Sequence, residues 1–142
     1  IWKKNILCYN HNYKFEVGGR MPKLDVLISV KSNDSNLEYK TTAILTEDII
    51  KYKSEDNTTE MFDYKNNKLI RENSELRMNY IFDLNKETKG TVFVKDLNRE
   101  LEVNVKTNKI ERNKNDIEIE FVVEDNTIKY HIVVIKWVYI QS

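Results

Sequence analysis

The stretch "IEIEFVVEDNTIKYHIVVIKW", Ile117–Trp137, decides the fold. Its first eight residues alternate, with Ile117, Ile119, Phe121 and Val123 on one face and Glu118, Glu120 and Glu124 on the other, broken only by Val122. A period of two is the signature of a strand with one face buried and one face wet. The polar run Glu124–Thr127 ("EDNT") then interrupts the apolar pattern. Asn and Asp tolerate the left-handed conformation that tight hairpin turns need, so the run predicts a reversal. After it, Ile128, Tyr130, Ile132 and Val134 resume an inward set. The stretch therefore reads as an antiparallel hairpin.

The same alternation extends over most of the chain. Inward sets are expected at Leu24, Val26, Ile28 and Val30; at Leu37, Tyr39, Thr41, Ala43 and Leu45; at Leu76, Met78, Tyr80 and Phe82; and at Leu101, Val103 and Val105. Shorter strands are expected at 48–54, 60–65, 68–73, 91–95 and 109–113. Tight Asn-, Asp- and Lys-rich connections follow at 65–68, 95–98 and 112–116, and no stretch has a convincing helical period. About ten strands joined by short turns imply an all-β, antiparallel meander, which loses its exposed edges by closing into a single up-and-down β-barrel of about 8–10 strands.

Residues 1–20 differ in character. "IWKKNILCYNHNYKFEVGGR" has no sustained period, and its apolar part is too broken by Asn and His for a secretory signal. Gly18-Gly19-Arg20 can be encoded by purine-rich triplets resembling a ribosome-binding site just before Met21. We therefore expect Met21 to be the native start, residues 1–20 to be leader, and 21–142 to form one barrel domain. A genuine irregular extension is the competing reading.

Composition limits the chemistry. The 142 residues carry 23 basic and 23 acidic side chains, so no global field attracts nucleic acid. Omitting Lys3, Lys4, Lys14, Arg20 and Glu16 with the leader leaves the domain at net charge −3. No apolar run is long enough for a helical membrane span. The single cysteine, Cys8, forms no internal disulfide, which points to a reducing, cytoplasmic compartment. Abundant Lys, Asn and Ile read as the codon usage of an AT-rich bacterial genome.

Beyond Met21 the domain has one glycine, Gly90, and one histidine, His131. A lone glycine supports no phosphate-cradling loop, so nucleotide cofactors are not expected. Cys8 and His11 form one half of a zinc-ligand pattern with no second pair, and "SNDSN" (Ser32–Asn36) and "SEDN" (Ser54–Asn57) read as solvated turns rather than calcium loops; no metal is expected. His131 alternates outward, away from any nucleophile, and the carboxylates mostly do the same. A binding protein is favoured over an enzyme.

Two features resist a purely structural reading. In "KLIREN" (Lys68–Asn73), Arg71 shares the face of Leu69. An inward arginine pairs with an acid at the barrel rim or holds an anionic ligand, unless the face assignment is off by one residue. In the last strand, Val133, Ile135 and Trp137 make an apolar outer face, covered by the chain's own terminus or by a second copy in a homodimer.

The succession "IIKYKSED" (Ile49–Asp56), "KLIREN", "LRMNYIFD" (Leu76–Asp83), "KGTVFVKDLNRELEVNVKTNKIE" (Lys89–Glu111) and Ile117–Trp137 resembles the YwiB-like family of bacterial proteins across residues 24–138. Tyr52 with Glu55, and Arg71, stand where that family has a tyrosine and acid and an Arg-containing turn. Asn73 and Asn98 stand where it has glycines. The resemblance implies a calycin-like, lipocalin-type barrel and carries no established activity. Such barrels tend to hold small apolar ligands, for which Tyr39, Tyr52, Arg71, Met78, Tyr80 and Tyr130 are the expected lining. The alternative is a protein-interaction or assembly domain using Val133, Ile135 and Trp137.

Overall fold

The computed structural model describes residues 22–139, and within them ten antiparallel strands form a closed barrel. They are β1 (Pro22–Lys31), β2 (Asn36–Thr46), β3 (Ile49–Lys53), β4 (Thr59–Asp63), β5 (Lys68–Glu72), β6 (Leu76–Ile81), β7 (Thr88–Val94), β8 (Arg99–Arg112), β9 (Asp116–Val123) and β10 (Asn126–Tyr139). Each strand pairs with its neighbours in sequence, and β1 pairs with β10 to close the ring. The leader reading, Met21, Cys8 and His11 lie outside the described residues. No helix among the described residues is long and apolar enough to cross a membrane.

Turn chemistry follows the sequence closely. Asn57, Asn67, Asn98 and Asp125 take positive φ, as short side chains that bond locally can. Glu124 joins Asp125 at positive φ, giving the β9–β10 hairpin the two left-handed residues that a type I′ turn requires. Glu47, between β2 and β3, also takes positive φ. Asn73 turns differently: its Oδ1 accepts from the backbone N–H groups of Glu75 and Leu76, a local turn that needs no glycine.

Alternation alone misplaces three features. The segments expected as strands at Leu101–Thr107 and 109–113 are one strand, β8, with an irregularity between Thr107 and Lys109 that preserves the inward face on both sides. A second bulge lies where Asp25 pairs with Lys136 and Val26 with Val134, so Ile135 is the extra residue. The bulge reverses the faces beyond it. Trp137 stands opposite Leu24 and packs against the core instead of joining Val133 and Ile135 outside. Finally, Leu101, expected inward, is 51% exposed, whereas Leu37, 43% exposed, keeps its inward face and lines the open end of the barrel. Leu101 precedes the point at which β9 begins to pair with β8, so the β7–β8 hairpin projects past the ring there.

The inward residues form one continuous core. Leu24, Val26, Ile28, Ile50, Phe62, Ile117, Ile119 and Ile132 are fully buried, each stabilising the fold by about 1.5–3 kcal/mol relative to exposure. Aromatic contacts join opposite walls: Phe82 meets Phe121 at 4.7 Å between centroids, Tyr80 meets Phe121 edge-on at 5.9 Å, and Phe62 meets Tyr130 edge-on at 5.8 Å. The buried Gly90 makes room for Tyr80. A Cβ there would lie 2.8 Å from the Tyr80 ring and 3.2 Å from the Asn79 carbonyl oxygen.

Candidate functional site

The up-and-down order puts the β1–β2, β3–β4, β5–β6, β7–β8 and β9–β10 turns at one end of the barrel. That end is hollow: a cavity of about 360 Å³ opens there. Its walls are largely apolar, formed by Val30, Leu69, Met78, Phe121 and Ile128 among others. The polar side chains bordering it are Tyr39, Tyr80, Tyr130, Arg71 and Glu60, with Ser35 from the β1–β2 loop and Ser54, Glu55 and Asp56 from the β3–β4 loop.

The polar row arises from strand register. Tyr52 on β3 stands opposite Glu60 on β4, Glu60 opposite Arg71 on β5, and Arg71 opposite Met78 on β6. All four share the inward face. Glu60 is only 3% exposed, so its charge must be compensated where it stands. Arg71 Nε donates to Glu60 Oε2 at 2.6 Å, and Tyr52 Oη donates to Glu60 Oε1 at 2.5 Å. Tyr52 has a single hydroxyl proton, so Tyr130 Oη, 2.7 Å away, is the donor to Tyr52. The chain Tyr130, Tyr52, Glu60, Arg71 thus runs from β10 across the lumen to β5, with Phe62 against the Tyr130 ring.

Burial fixes the protonation of the phenols. Desolvation, reinforced by the coulombic repulsion of neighbouring groups including Glu60, pushes Tyr52 and Tyr130 well above the ordinary tyrosine value, so both stay neutral. Tyr39 is also raised, chiefly by burial and then by Glu60. Tyr80 is raised by burial as well. At the rim, Ser54 Oγ donates to Asp56, and the Thr58 N–H bonds both Asp56 Oδ1 and Ser54 Oγ. These bonds hold the Asp56 carboxyl below its ordinary range and shape the loop as one side of the mouth.

Of the six residues expected to line a ligand site, Tyr39, Arg71, Met78, Tyr80 and Tyr130 border the cavity. Tyr52 is buried and reaches the site through Glu60 and Tyr130. Glu60 was absent from the sequence reading. Its signal was available: Glu60, Phe62 and Tyr64 share one parity, and a charged residue in register with apolar ones must face inward with them. Gly90 and Phe121 support the site from behind and were recognisable only as a lone glycine and a core residue.

The expected outer face of β10 is smaller than the alternation suggested. Ile135 is 49% exposed, Val133 is half-buried, and Trp137 is partly buried and packs against the core. His131 faces outward as expected and pairs with Asp116, Nε2 to Oδ2 at 2.7 Å. A wedge-shaped slot opens between β2 and β3, which pair only over Ile44–Thr46 and Ile49–Lys51. No cluster of three or more metal-ligating side chains occurs among the described residues.

No family model matches the chain, and no curated protein does either. Among solved structures, the chain is similar to the crystal structure of ywiB protein from Bacillus subtilis, with 11% sequence identity over 82% of this chain and 94% of that one, at a TM-score of 0.47.

Proposed function

We propose that this protein is a YwiB-like, lipocalin-type barrel that binds a small apolar or amphipathic molecule non-catalytically in the open end of the barrel. The observation that carries this reading is the 360 Å³ cavity itself. A closed barrel of this size can be filled by its own side chains. Here the aromatic residues fill the end bearing Phe62, Tyr64 and Phe82, while the opposite end stays open. The volume falls at the small end of the range for ligand pockets, about 300–1,000 Å³, and the lining has their usual character of apolar walls with a few polar groups. A cytoplasmic location agrees with the single cysteine.

Calorimetric titration with decanol tests it. Saturable binding to the wild type, lost in Met78→Trp where the indole fills the cavity, supports the proposal. Equal heats for both proteins would contradict it.

A second reading, homodimer assembly through the outer face of β10, rests on Ile135 and Val133 alone, since the bulge removes Trp137 from that face. The cavity is the stronger observation.

A further inference from the structure

We infer that the cavity selects an uncharged, hydrogen-bond-accepting head group on an apolar tail, and discriminates against the carboxylate of the same tail. The inference rests on the binding reading above and concerns which ligand class fits.

Among the described residues, three groups bordering the cavity have donor capacity and no protein partner for it. Arg71 uses Nε on Glu60 and makes no other hydrogen bond, while its side chain remains 37% exposed. The hydroxyls of Tyr39 and Tyr80 make none, and neither is sealed from solvent or cavity space, since the only sealed and unpartnered side-chain oxygen or nitrogen is Asn79 Oδ1. These donors stand beside an apolar wall of Leu69, Met78 and Phe121. A ligand oxygen placed among them would satisfy groups that the protein leaves open.

Charge decides what kind of oxygen. The arginine that would ordinarily attract a carboxylate or phosphate is already neutralised at 2.6 Å by the buried Glu60. Glu55 and Asp56 add two negative charges at the mouth, so the ionisable lining sums to −2 with Arg71 included. An entering carboxylate would be desolvated beside three acids and only one shared guanidinium. A carbonyl, hydroxyl or ether oxygen accepts from the same donors without that repulsion. A quaternary ammonium is attracted by the net negative lining, but it has no acceptor to offer and leaves the open donors of Arg71, Tyr39 and Tyr80 unpaired and desolvated.

Glu60 is therefore the specificity-determining residue, acting through Arg71. Its replacement by Gln keeps an acceptor for Tyr52 and frees the guanidinium charge. Calorimetric titration with decanol, decanoate and decyltrimethylammonium, tail held constant, provides the test. The wild type is expected to bind decanol at least about tenfold more tightly than either ion, and Glu60→Gln to bind decanoate at least about tenfold more tightly than the wild type does. Decanoate or the ammonium binding the wild type as well as decanol would overturn the inference and leave the cavity reading intact. Failure of all three would overturn both. The wild-type ranking stands as a test whether or not Glu60→Gln folds.

Discussion

Glu60 and Arg71 face each other on adjacent strands inside the barrel, the acid almost wholly buried and the arginine reaching toward the open cavity. One residue is held by the other, and their order from core to cavity sets the chemistry of the site. Removing the arginine leaves a buried carboxylate with only the Tyr52 hydroxyl as partner. Arg71→Met is expected to destabilise the fold by about 1–3 kcal/mol, less than a fully buried pair would show because solvent reaches Arg71. Glu60→Leu combined with Arg71→Met should recover part of that loss. Urea denaturation of the single and double variants measures both.

Tyr52 and Tyr130 are raised by burial, and the sign of the pH effect follows. Both phenols are protonated in folded and unfolded chains below about pH 10, so they produce no pH dependence there. Above that value the unfolded chain releases protons that the fold retains. Stability should fall by about 1.4 kcal/mol per pH unit for each phenol held neutral. Chemical denaturation from pH 8 upward should show a plateau and then a decline near the ordinary tyrosine value. Tyr52→Phe with Tyr130→Phe should make the alkaline decline shallower.

Gly90 lies under the Tyr80 ring with no room for a methyl group. Gly90→Ala is expected to cost about 1–3 kcal/mol and to push Tyr80 toward the cavity, weakening decanol binding in the same variant. Thermal unfolding and calorimetry read the two effects. A stable variant with unchanged binding would contradict the packing described here.

The bulge at Ile135 makes a contrast between neighbours that simple alternation does not. Trp137→Ala removes a side chain packed against the core and should cost about 2–3 kcal/mol. Ile135→Lys changes a half-exposed outward residue and should alter stability by less than about 0.5 kcal/mol. If homodimer assembly uses this face, light scattering should show the Ile135→Lys chain as a monomer. Alternation without the bulge puts both residues outside and predicts a small effect on stability for each.

The fold was readable in this sequence because strands and turns are written locally. Alternating pairs such as Ile117 and Ile119, and left-handed candidates such as Asn67 and Asp125, depend on residues within a few positions of one another. The bulges were not readable. One extra residue at Ile135 inverts the faces beyond it, and no local pattern marks it, so Trp137 was assigned to the wrong side. The inward position of Arg71 was visible from its parity with Leu69, but its partner was visible only once Glu60 had been given the same scrutiny. The Tyr52–Tyr130 bond joins residues 78 positions apart through the closure of the ring, and periodicity carries no information about such a contact.

The central claim, that the open end of the barrel binds a small amphipathic molecule, is tested most directly by the methyl resonances of Met78 and Met61. Met78 borders the cavity, whereas Met61 lies on β4 between the inward Glu60 and Phe62 and faces the other way. In protein labelled with ¹³C at the methionine methyls, decanol should shift the Met78 signal saturably and leave Met61 in place. A Met78 signal that does not move, or one that moves only together with Met61, would contradict the account.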